Sequence, residues 1–125
     1  SDADVFVDGA TNGEQLGLMA SSLGDMNSDG LGDFALSNLY QTNGQITGVV
    51  VVFLGHENLP IWLNSSLANA TFLSSSEEVL TISGVGNMNG QFYSHSTPYD
   101  DFGIGVPSYG NQAGVTYLLF GQATK

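Results

Sequence analysis

"LGLMASSLGDMNSDGLGDFALSN", residues 16–38, sets two short apolar runs on either side of an acid-rich turn. Residues 18–23 and 33–38 have the length and make-up of strands, and neither shows the 3.6-residue spacing of an amphipathic helix. Between them Asp25, Asn27 and Asp29 place side-chain oxygens on alternate residues, Gly30 permits a sharp reversal, and Asp33 follows at the start of the second run. The stretch therefore reads as strand, polar loop, strand.

The rest of the chain repeats this grammar. "LMASSLGDMNSDG" (18–30) aligns with "LTISGVGNMNG" (80–90), "DFALSN" (33–38) with "DFGIGV" (101–106), and "GVVVVFLG" (48–55) with "GVTYLLFG" (114–121). The offset grows from 62 residues (Leu18 to Leu80) to 66 (Gly48 to Gly114), so the second copy carries an insertion, "FYSHSTPYD", in its loop. Each copy predicts three strands, at 18–23, 33–38 and 48–54 and at 80–85, 101–106 and 114–120, joined as an antiparallel meander. The third strand of each copy is apolar on both faces, which predicts a buried, central position. "LPIWLN" (59–64) is a candidate fourth, outer strand for copy one, while copy two has no such strand before its last residue. "ADVFVDG" (3–9) reads as a strand that belongs to neither copy.

The fold expected is thus all-β, built as a segment 1–15 bearing the N-terminal strand, a first repeat over 16–77 and a second over 78–125. Apolar residues make up 42% of the 125, enough for a core, and Gly is abundant at 17. Charge is one-sided: 12 acidic residues face a single basic one, Lys125, for a net −11. With no cationic patch, nucleic acid and anionic membranes are excluded as partners, and no stretch is long enough to span a bilayer. Cysteine is absent, so neither disulfides nor thiolate chemistry are available. A chain opening at Ser1 without Met is expected of a protein whose secretory signal has been cleaved, or of an excised piece. Two sequons, Asn64-Ser65-Ser66 and Asn69-Ala70-Thr71, are acceptors for N-linked glycans in a secreted, extracellular or cell-surface protein.

The acid-rich turn suits calcium, which takes about six to eight oxygens, several of them carboxylate. Its spacing is not that of an EF-hand, whose twelfth position would be Leu36 here instead of Glu. The loop and its flanks resemble the FG-GAP repeat of the integrin alpha-chain propeller family, through residues 16–38 together with 48–55. That resemblance implies antiparallel propeller-type blades, with calcium held by Asp25, Asn27, Asp29, the backbone carbonyl of Leu31, and Asp33. Leu16-Gly17 stands where the family has Phe-Gly. In place of Gly-Ala-Pro, copy one has "SNL" and copy two the closer "GVP" (105–107). The second loop offers Asn87, Asn89 and Asp101, with Gln91 or Asp100 as substitutes. It has lost the charges at the first and third positions, so its affinity for calcium is expected to be weaker.

An enzyme is not expected. His56 and His95 sit in no nucleophile or metal-ligand motif, and Glu77-Glu78 would point to opposite faces of a strand. Trp62, Tyr93, Tyr99 and Tyr109 could stack on a sugar or cover a blade edge. Two blades are too few to close a propeller, which needs about four to eight, and open edges invite pairing with another chain. The expectation is an extracellular, calcium-binding, structural or adhesive protein. It would self-assemble into a fibre or ring, residues 4–9 of one copy completing the second repeat of the next. The alternative is a fragment of a larger propeller that binds protein or glycan ligands.

Overall fold

The computed structural model describes residues 4–60, 62–74, 78–90, 92–93, 97–107 and 113–122. The chain is all-β, with one short 3-10 turn at Ser65–Leu67. The strands are β1 (Phe6–Asp8), β2 (Met19–Gly24), β3 (Asp33–Thr42), β4 (Gln45–Phe53), β5 (Trp62–Asn64), β6 (Ala70–Ser74), β7 (Thr81–Gly86), β8 (Phe92–Tyr93), β9 (Thr97–Pro98), β10 (Asp101–Val106) and β11 (Val115–Leu119). The first repeat forms an antiparallel meander in the order β2-β3-β4-β6, and the second a three-stranded sheet in the order β11-β10-β7. The inserted loop contributes the small hairpin β8-β9. Among the described residues no sheet closes into a barrel.

The repeat extends to backbone detail. The first hairpin of each copy breaks register at the same place, between Ser22 and Gly24 opposite Phe34–Asp33, and between Gly84 and Gly86 opposite Phe102–Asp101. The bulge ends in each copy on a glycine with φ near +70°, Gly24 (71°) and Gly86 (73°), a conformation closed to most side chains. It turns the chain out of the sheet and into the polar loop. At the β3–β4 reversal, Asn43 (φ 49°) and Gly44 (φ 79°) make the two-residue turn that matches strand twist.

Two apolar layers hold the structure. The first lies between the sheets, where Leu23, Ala35, Val50 and Val52 pack against Leu80, Ile82, Phe102, Ile104 and Val106. Phe72 of β6 meets Phe102 edge-on at 6.0 Å, a favoured aromatic geometry. The second covers the outer face of the first sheet, where Val49, Val51, Phe53 and Leu63 bury against Val5, Val7 and Leu59. This is why β4 can be valine on both faces: all of Val49–Phe53 is buried, each side chain contributing about 1.5–3 kcal/mol.

Three expectations are corrected. The N-terminal strand is not spare. β1 pairs in parallel with β5 of the same chain, Phe6 opposite Trp62 and Asp8 opposite Asn64. The turn after it is tied down by Ala10 N–H to Ser65 Oγ (2.9 Å) and Gln41 N–H to the Gly13 carbonyl (3.0 Å). Its side chains Val5 and Val7 gain burial against the outer face of the first sheet, which a free arm would forgo. Consequently residues 59–64 do not supply the outer strand of copy one. That place is taken by β6, inside the sequon-bearing segment, where Phe72 faces the core and Asn69 locks the approach through its N–H to Val52 O (2.8 Å) and its Oδ1 to Leu54 N–H (2.9 Å). Finally, β11 is not a buried central strand. It lies at the edge of its sheet, with Tyr117 50% and Leu118 48% exposed, because no described residues form a fourth strand beside it.

Candidate metal centre

The acid-rich loop leaves β2 at Gly24 and rejoins the sheet at Asp33, the first residue of β3. Its acids organise its own backbone. The Asp25 carboxylate accepts from the N–H groups of Asp29 (3.0 Å, on Oδ1) and Gly30 (2.7 Å, on Oδ2). Asp29 accepts from Leu31 N–H (2.9 Å) and, on its other oxygen, from Asn27 Nδ2 (3.1 Å). Ser28 takes a left-handed conformation, φ 60°, and its counterpart in the second loop is Gly90, φ 75°. Asn27 Oδ1 is buried with no hydrogen-bond donor.

Asp33 plays a different part. It is buried, and its two oxygens bolt two segments together: Oδ2 accepts from Met26 N–H (2.7 Å) and Oδ1 from Gly55 N–H (2.9 Å) just after β4. Burial pushes its carboxyl above the ordinary carboxylate range. The bonds from Gly55 and Met26 draw it partway back, and the nearby charges of Asp29 and Asp25 push it up again. Asp101 repeats the bolt in copy two, fully buried, accepting from Met88 N–H (2.7 Å) and from Gly121 N–H (2.8 Å) just after β11. The glycines that receive these bolts are crowded by backbone. A Cβ at Gly55 would overlap the carbonyl of Gly32, and one at Gly121 those of Asp100 and Met26.

The two loops are also tied to each other. Asp25 N–H donates to Asp100 Oδ2 (2.8 Å), and Asp100 N–H donates back to the Asp25 carbonyl (2.9 Å). Sequence reasoning had Asp100 as a substitute ligand for the second loop, whereas it serves the backbone of the first. The signal available was the doublet Asp100-Asp101 where copy one has Gly32-Asp33.

The sequence-predicted ligands Asp25, Asn27 and Asp29 are therefore neighbours joined by hydrogen bonds, with Asp33 beneath them against Met26. Among the described residues, no three Asp, Glu or His side chains are gathered to hold a metal ion by themselves. The donor set is nevertheless all oxygen, as a hard cation requires. Each carboxylate oxygen that accepts an N–H keeps a second lone pair, and the buried Asn27 Oδ1 has no hydrogen-bond partner. In the second loop Asp101 is committed to its bolt, and Gln91 lies outside the described residues, as do Glu77, His95 and Tyr109. His56 is exposed beyond β4 and Trp62 is half exposed on β5. Asn69 is exposed, whereas Asn64 is half-buried and donates from Nδ2 to Asp8 (3.2 Å). No helix among the described residues is long and apolar enough to cross a membrane. No family model, curated protein or solved structure matches the chain.

Proposed function

We infer that this is an extracellular, FG-GAP-like structural or adhesive module, stiffened by calcium in the loop 25–33 and working as an assembly of copies. The observation that carries the calcium reading is Asn27 Oδ1, a buried oxygen without a donor on a side chain whose Nδ2 donates to the Asp29 carboxylate. The charges of Asp29 and Asp25 add to the raised proton affinity of Asp33, and a divalent ion would relieve that repulsion. Asp25, Asn27, Asp29, Asp33 and the Leu31 carbonyl would hold it. Bound there, the ion would fix the exit of β2, the entry of β3 and, through Asp33 and Asp100, the segments after β4 and before β10. The role is mechanical, and Asn64 and Asn69 are the sites for attached glycans.

The reading is tested by titration calorimetry on chelator-stripped protein, paired with thermal melting. Calcium should release or absorb heat at one site and raise the melting temperature, and Asp25→Asn should weaken both. No heat and an unmoved melt would overturn it. A second reading, a piece of a larger ligand-binding propeller, draws support from the way β7 lies against β2, Gly84 close to the Ser22 carbonyl, while β6 and β11 stand apart, as adjoining blades do.

A further inference from the structure

The outer face of the first sheet carries a second polar centre, away from the acid-rich loop. Between that face and the segment after β1 lies a cavity of about 220 Å³. Val49 and Val51 of β4 line it on the apolar side, with Leu73 of β6, itself 72% exposed. Three polar side chains that line it are more than nine-tenths buried: Glu14 (8% exposed), Asn38 (1%) and Ser65 (7%). They are tied together. Ala10 N–H donates both to Glu14 Oε2 (2.8 Å) and to Ser65 Oγ (2.9 Å), and Asn38 Nδ2 donates to the Glu14 carbonyl (3.1 Å). Thr11 N–H is a second donor on Oε2 (3.2 Å), while Glu14 Oε1 accepts from no described residue. Asn38 Oδ1 is buried with no hydrogen-bond partner, on an amide whose nitrogen fixes its orientation. The walls come from residues between Ala10 and Leu73, and neither Asn64 nor Asn69 is among them. Buried polar groups are as a rule partnered, and what this set of acceptors lacks is a donor.

We propose that this cavity binds a primary ammonium on an aliphatic stem, the group carried by a lysine side chain of a partner or by a free alkylamine. The chemistry selects it. An anion would face the Glu14 carboxylate. A guanidinium pairs best with a carboxylate through two parallel bonds, one to each oxygen, and here Oε2 already takes two N–H groups. Calcium takes about six to eight oxygens, several of them carboxylate, where this cavity offers one carboxylate and a valine wall. An ammonium is compact, with three donors and no acceptor. It suits Glu14 Oε1, Asn38 Oδ1 and the second lone pair of Ser65 Oγ, and its methylenes find Val49, Val51 and Leu73. The net charge of −11 draws cations to the molecule. The site shares no residue with the loop 25–33 and does not depend on the calcium reading.

The test is an NMR titration of the full chain, in chelator and at constant ionic strength, with n-butylamine and with Nα-acetyl-lysine methylamide. n-Butylamine should shift the Asn38 side-chain amide and the Val49 and Val51 methyl signals together and saturably. n-Butanol has the stem without the charge, tetramethylammonium the charge without the donors, and Nα-acetyl-arginine methylamide a planar head. Each should bind weaker by about 10-fold or more. Glu14→Gln keeps an accepting oxygen for Ala10 and Thr11 N–H but removes the charge, and should weaken butylamine by about 10-fold, with a melting curve to show that the fold is kept. Leu73→Lys, at an exposed position outside the buried network, sets the protein's own ammonium over the cavity and should abolish the response, whereas Leu73→Met should retain it. The second pair decides the matter even where Glu14→Gln does not fold. Signals unmoved by butylamine, an equal response to any of the three control compounds, or a folded Glu14→Gln or a Leu73→Lys that binds as the parent does each overturns the proposal. The two amines separate the sources: both binding assigns the site to lysine side chains, and butylamine alone assigns it to free amines.

Discussion

Replacing Asp101 with Asn separates a structural bolt from a metal ligand. The substitution barely changes shape, but an amide has one accepting oxygen where the carboxylate had two. Met88 N–H and Gly121 N–H both point at this side chain, at 2.7 and 2.8 Å. Whichever way the amide is turned, one of them faces an NH2 group in a fully buried site. An unsatisfied buried donor costs about 1–3 kcal/mol, and the surviving bond loses its charge assistance, about half its strength. The expected loss is about 3 kcal/mol, a large share of the roughly 5–15 kcal/mol that such a domain possesses. In urea, with a slope of about 2 kcal/mol/M, the midpoint should fall by about 1.5 M without a change in slope. The measurement is made in excess chelator and again in calcium, and the loss should be the same in both. Asp33→Asn should cost as much in chelator and more in calcium. A midpoint shift below about 0.3 M for Asp101→Asn in chelator, on the same slope, would show that these carboxylates do not pin the strand ends.

Gly121→Ala should destabilise the fold by at least about 2 kcal/mol in thermal melts, because its methyl has backbone carbonyls from both loops against it and backbone yields little. Calcium at a hundredfold excess over its dissociation constant should add about 2.7 kcal/mol of stability, lost on chelation and read from the same melts. In metal-free protein, Asp33 contributes a pH slope. Its carboxyl is held above its unfolded value, so its proton favours the fold fully below the unfolded pKa, and that support is lost as pH rises through the higher folded value. Urea midpoints at pH 4, near the unfolded value, and at pH 7 should therefore differ less in Asp33→Asn than in the parent. Glycopeptide mass spectrometry of secreted protein should find Asn69 occupied in preference to Asn64, whose amide nitrogen is engaged with Asp8.

Six of the strands were legible because glycines frame them and the chain states the pattern twice. β6 was not, because Ala70–Ser74 carries a single large inward residue, Phe72, and becomes a strand through its pairing with β4. β1 and β5 also read as strands, within 3–9 and 59–64, but nothing in so short a run announces a parallel partner more than 50 residues away. The burial of the third strands differed between copies for a reason outside the strands themselves: β4 has covering on both faces and a strand on each edge, whereas β11 packs only Val115 and Leu119 against the core and, among the described residues, has a strand on one edge. In the loop, the oxygen-rich positions were readable and the two jobs among them were not. Asp33 reads as a ligand, and the internal repeat held the clue to its second job. Asp25 and Asp29 lose their charge in the second copy while Asp33 reappears as Asp101, as expected of a group whose duty is to backbone N–H donors.

Gly121 sits where the carbonyls of Met26 and Asp100 close in from either side. The chain just past β11 is thereby keyed into the same few ångströms of chain that carry the acids, so a loop that stiffens stiffens the rim of the neighbouring sheet with it. Slackness at one spot would fray the other, and a tether of one residue without a side chain is enough to make two seemingly separate regions melt as a unit.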